Sequence, residues 1–140
     1  MPLQNEDIMN ADIHIQRERQ EQVANEACDA VEDLARAVNT RTVTAPAAYA
    51  VLGNQKQMLH YLEVVNDRLI HGLQSSLTDS RFTVTDRDFI TGAERDPAVQ
   101  IDNATQLLQA ARNNIGAAAH SVATAQEALN SQGFTTVGTD

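Results

Sequence analysis

Along most of this chain hydrophobic residues recur at intervals of three and four, the spacing that gathers side chains on one face of an α-helix. The first such stretch predicts a helix over about residues 10–38, with a stripe of Val23, Ala24, Ala27, Cys28, Val31, Leu34, Ala35 and Val38. Ahead of it, residues 16–22 read QRERQEQ and are polar on every side, with Ile8, Ile13 and Ile15 isolated upstream. Polar turns hold little tertiary energy, so this half of the helix projects past the core, docks on another chain, or frays.

Residues 39–46, NTRTVTAP, form a connector. Thr44 ahead of Ala45 and Pro46 predicts a helix start, since a hydroxyl can cap the first turn and proline is tolerated there. The second helix then covers residues 45–76 with a seam of Leu52, Gln55, Leu59, Leu62, Asn66, Leu69 and Leu73, flanked by Met58, Tyr61 and Val65. Gln55 and Asn66 either fix register as buried amides or stay wet at the edge.

Periodicity breaks over residues 77–96, which are rich in Ser, Thr and Asp yet hold Phe82, Val84, Phe89 and Ile90. RFTVT alternates and predicts a short extended piece. A loop of this length is usually functional or mobile. Its apolar residues either fold back to cap the open end of a bundle, or form a patch rimmed by Arg81, Asp86, Arg87 and Asp88 that meets a partner.

Asp96-Pro97 restarts a helix by the same capping logic, and Gly133 is a plausible stop. This third helix, residues 97–131, carries the most regular pattern in the chain. Ile101, Ala104, Leu108, Ala111, Ile115, Ala118, Val122, Ala125 and Leu129 alternate a branched aliphatic with alanine. Alanine lets helix axes approach to the narrow end of the ~8–10 Å range. The pattern resembles the close-packed antiparallel coiled coils known as Alacoils, with Gln109, Arg112 and Asn113 turned to water. The fold class expected is all-α: an antiparallel bundle of three long helices over a single domain, 1–140, with tails 1–9 and 132–140. Self-association into a homodimer or higher completes it, because so few aromatics bury modest area per residue.

Composition sharpens this picture. Aromatics make up 4% of the 140 residues and Trp is absent, so a core must be built from Leu, Ile, Val and Ala. A formal charge of −9 argues against binding nucleic acid or an anionic membrane through a broad basic surface. The single cysteine, Cys28, excludes an internal disulfide and reads as a small buried hydrophobe. Neither a signal peptide nor an apolar run of the ~18 residues needed to span a bilayer is visible. The expected location is the cytoplasm or, alternatively, a virion or other assembly.

Chemistry is sparse. His60, Glu63, Asp67 and His71 share one face of the second helix, and Asp67 with His71 has chelating spacing. His60 and His71 stand ~16 Å apart along the axis, too far for one ion. The diiron bundles use Glu-x-x-His, whereas this chain has the reverse, HYLE, once. Neither a nucleophile motif nor a phosphate loop occurs. The glycines in VLGNQ and LIHGL suggest close helix contacts. The expectation is a non-enzyme with no catalytic residues, no metal and no cofactor.

The stretch AYAVLGNQKQMLHYLEVVNDRLIHGL, followed after a polar loop by DPAVQ and an Ala-rich helix, resembles small Ala-rich α-helical proteins found across actinobacteria. The resemblance spans about residues 45–130. It implies an all-α fold and no particular activity; the first 40 residues depart from it. The helical hairpins secreted by actinobacterial type VII systems are a poorer match. Their Trp-x-Gly turn is missing, and Tyr49 and Tyr61 are followed four residues on by Gly53 and Val65 rather than an acid. The functional expectation is a helical module that contacts itself and another protein. Two alternatives remain open: a structural component of a phage or other large assembly, and an acidic inhibitor that mimics nucleic acid.

Overall fold

The computed structural model describes residues 5–81 and 83–138. Phe82 and the side chain of Ile8 lie outside this description. The elements in order are α1 (Asn5–Ala37), α2 (Ala45–Ser76), β1 (Asp86–Arg87), β2 (Glu94–Arg95) and α3 (Pro97–Leu129). The fold class is all-α. Against the expectation of one domain, backbone contacts divide the chain into two compact units, Met1–Val43 and Thr44–Asp140.

Both proline-marked starts form as expected. Thr44 Oγ1 accepts the amide of Ala47 at 3.4 Å, and Asp96 Oδ1 accepts that of Ala98 at 3.0 Å. Each satisfies one of the amides a helix start leaves over. The far end of α3 differs from expectation. Gly133 takes no left-handed conformation; instead Asn130 donates to the Glu127 carbonyl at 3.2 Å, tightening the last turn.

Side-chain pairing in the first unit is local to α1. Arg17 meets Glu21 at 3.5 Å, Arg36 meets Glu32 at 2.6 Å, and Gln22 donates to Glu26 at 3.1 Å. Such pairs contribute roughly 0.2–0.5 kcal/mol each on an exposed helix. No residue from 11 to 37 is buried. Val23 and Val31 are exposed, and so is Cys28, which is therefore not the buried hydrophobe its stripe suggested.

In the second unit α2 and α3 pack along their lengths. Glu63 lies against Gly116, Asp67 against Arg112, and Gly53 against Gln126. From residue 53 to 67 α2 advances by as many residues as α3 recedes from 126 to 112, so the pair is antiparallel and in constant register. Gly53 allows one close approach, since a Cβ there would meet Gln126 Nε2 at 2.6 Å; Gly72 faces open space.

The contact line is offset from the expected one. Its α2 positions are Leu52, Lys56, Leu59, Glu63, Asn66, Ile70 and Leu73, all buried or half-buried. In α3 they are Ile101, Thr105, Leu108, Arg112, Ile115, Ala119, Val122, Gln126 and Leu129. Every second position is that of the predicted seams, and the positions between them move by one. Gln55, Leu62 and Leu69 are exposed in α2, as are Ala118 and Ala125 in α3; Ala104 and Ala111 are half-buried at the edge. Arg112, expected in water, sits on the line. The reason is that long polar side chains on this line find partners across it. Arg112 Nε lies 2.9 Å from Asp67 Oδ1, and Gln126 Nε2 donates to the Tyr49 carbonyl at 3.2 Å. Their aliphatic stems cover the contact as a Leu would.

Thr105, Ala119 and Ile70 are the buried residues among those described, Thr105 at 5% and Ala119 at 3% exposure. Replacing Ala119 by Leu should overpack the line and cost ~1–3 kcal/mol in urea denaturation. Ala117→Leu, on the exposed far side of the same turn, should change stability by less than ~0.5 kcal/mol. Equal effects would show that the contact line lies elsewhere.

Candidate functional site

The link between α2 and α3 is a built structure. β1 and β2 pair antiparallel, Asp86 opposite Arg95 and Arg87 opposite Glu94. The extended piece thus starts beyond RFTVT, where pairing partners exist. The turn from Asp88 to Ala93 is closed by its own backbone: the Asp88 amide donates to Ala93 O and the Gly92 amide to Asp88 O, both at 2.8 Å. Gly92 has φ +70°, a left-handed conformation that glycine adopts without steric cost.

Asp88 organises the tip. Its Oδ1 accepts the amides of Ile90 and Thr91, each at 2.9 Å, fixing an Asx-type turn. Those amides, Thr91's foremost, hold its carboxyl below the usual carboxylate value of 3.8, and Arg95 adds to the effect. Below the tip, Arg95 reaches Asp86 at 3.0 Å and Asp88 at 3.7 Å, and Arg87 reaches Glu94 at 3.3 Å. At the entry, the Arg81 side chain binds Asp79 through both carboxylate oxygens and brings its pKa down to about 2.

This scaffold holds two large apolar side chains in water. Phe89 is 100% exposed and Ile90 92%. Of the four loop residues singled out from sequence, Val84 is half-buried and Phe82 lies outside the description. Phe89 and Ile90 do not cap the bundle. They stand free at the tip, beside Arg87 and Asp88. At the base of the hairpin, Val84, Thr85, Asp86, Arg87, Glu94, Arg95 and Pro97 line an open cavity of about 360 Å³.

The α2–α3 pair has two unlike flanks. One carries His60, Asp67, His71, Gln109 and His120, near the Asp67–Arg112 pair. On this flank His60 Nδ1 lies 3.4 Å from Glu63, and His71 Nδ1 lies 2.7 Å from the Asp67 backbone carbonyl. Among the described residues no three His, Cys, Asp or Glu side chains converge on a point that could hold a metal, and no helix is long and apolar enough to cross a membrane. The opposite flank carries Gln55, Met58, Leu62, Val65, Leu69, Gly72 and Ser76 from α2. From α3 it carries Gln100, Ala104, Leu107, Ala111, Asn114, Ala118, Ser121 and Ala125. Both rows keep the three-four spacing, and neither holds a charged residue. The alanines of the sequence-predicted seam lie here, facing away from α2's contact line. A count of hydrophobic positions finds both apolar faces without saying which of them meets α2.

The sign of the Asp88 shift sets a pH dependence. A carboxyl depressed in the folded turn stabilises it above the usual carboxylate value, and that contribution is lost as pH falls through its lowered value. Amide exchange at Ile90 and Thr91, corrected for intrinsic rates, should stay slow at neutral pH and quicken as pH falls below the usual carboxylate value. Asp88→Ala should quicken it at every pH while helical circular dichroism is unchanged. Protection that survives the alanine replacement would show that the backbone alone closes the turn.

Set against protein-family models, curated proteins and solved structures, the chain matches none of them.

Proposed function

We propose that this chain is a non-enzymatic protein-interaction module, and that the β1–β2 tip is its contact point with another protein. One observation carries this reading. An ordered turn, closed by backbone and Asx hydrogen bonds and braced by three arginine–carboxylate pairs, displays Phe89 and Ile90 to solvent. A mere spacer between α2 and α3 needs neither the bracing nor the apolar pair. A turn whose backbone is already ordered loses little backbone entropy on docking, and aromatic and branched side chains anchor interfaces when they enter a partner's pocket. The surrounding Arg87, Asp88 and Glu94 supply a polar rim of both signs.

The polar flank supports the same reading in a second way. His60 is engaged with Glu63 and Asp67 with Arg112, and general acid–base work calls for such groups to be aimed together at a reacting atom.

Replacing Phe89 and Ile90 together by Ser tests this. Both are already in water, so thermal stability should change by less than ~0.5 kcal/mol. A photo-crosslinking residue at position 89 in the native cell should give a discrete product with one other protein; one at Gln109, on the polar flank, should not. Products of equal yield from both positions, or from neither, would remove the tip as a docking point.

A further inference from the structure

We infer that the uncharged flank of the α2–α3 hairpin is closed by the same flank of a second copy, giving a four-helix bundle. The inference takes from the proposed function only that the chain works by protein contact, and it concerns a surface separate from the tip. Four observations lead to it. The flank is apolar and open in the single chain, with Leu107 72% exposed and Leu62 and Leu69 near half. It carries no charge, in a chain of formal charge −9. A basic partner would find no counter-charge on it, whereas two copies can meet there without the repulsion their other surfaces impose.

The third observation is size. The 32 residues of α2 span ~48 Å at ~1.5 Å per residue. Two helices with axes ~8–10 Å apart present a face ~18 Å wide. The product is on the order of 800 Å² per copy, the area a standard stable interface buries on each side.

The fourth is shape. A two-fold axis running along the helices leaves a partner's α3 at the same height as the chain's own, facing α2, with every neighbouring pair antiparallel. The constant register that sets Glu63 at Gly116 and Asp67 at Arg112 then fixes what meets what. Leu62 falls within one residue of the partner's Ala118 and Leu69 within one residue of the partner's Ala111. Leu107, the large residue in α3's row of alanines, falls at the partner's Gly72, beside which the single chain has open space. Large meets small at each point, which is how packed layers interlock.

The test is molar mass in solution, by light scattering on the full chain at tens of micromolar. The expected mass is twice the 15.2 kDa of one chain. Leu62→Glu should raise the dissociation constant roughly a hundredfold, because each of the two symmetric sites would bury a carboxylate. Helical content should not change. Gly72→Leu should weaken the dimer, and adding Leu107→Ala to it should restore the mass by reopening the space opposite. A folded chain of single mass overturns the inference. So does a dimer indifferent to Leu62→Glu, which would place its interface elsewhere, and so does a monomer that Leu62→Glu destabilises, which would assign the flank to another segment of the same chain. Phe89→Ser with Ile90→Ser should leave the mass untouched, so failure of the dimer and failure of the tip are read separately.

Discussion

A pair of helices in contact along one line can shelter only the side chains on that line, and this constraint governs the Thr44–Asp140 unit. Thr105, Ala119 and Ile70 alone among the described residues are buried. Everything else in α2 and α3 is at least partly in water, including a second, uncharged and largely apolar row on each helix. The contact therefore relies on length and register more than on depth. Its polar members matter as much as its leucines, because Arg112 with Asp67, and Gln126 with the Tyr49 carbonyl, set which rows face each other.

The starts of α2 and α3 were legible in the sequence to the residue, since they rest on chemistry confined to the start itself, whereas α1, which has no such signal, begins about five residues before the expected position. Thr44 and Asp96 followed by proline specify a first turn wherever the rest of the chain goes. The facing rows were not legible. In α3 the positions 104, 111, 118 and 125 are alanine, while 105, 112, 119 and 126 are Thr, Arg, Ala and Gln. Hydrophobicity favours the first set, and the fold puts the second on the contact line. A one-residue offset is invisible to a periodicity argument when both neighbouring rows keep the same period. The signal that could have found it is the cross-helix pairing of Asp67 with Arg112, a relation between residues far apart in sequence.

The loop shows the opposite balance. Its pattern of Ser, Thr and Asp around two aromatics hid a hairpin, because the strands are two residues each and are built from charged side chains. Asp88, Thr91 and Gly92 carry the turn, and all three are ordinary loop residues by composition. What marks the segment is an outcome of folding: apolar side chains expected to seek cover are the most exposed large ones in the α2–α3 link.

Lys56 on the contact line has a consequence for covalent chemistry. The chain has nine arginines and this one lysine, and its side chain is half-buried between α2 and α3. Its ε-amine is the one side-chain amine available to acylating reagents, and any bulky adduct there must share space with the α3 face. The guanidinium groups elsewhere do not acylate under the same conditions. Acylation of Lys56, separated from that of the α-amine by peptide mapping, would thus report on the α2–α3 contact rather than on the outer surface.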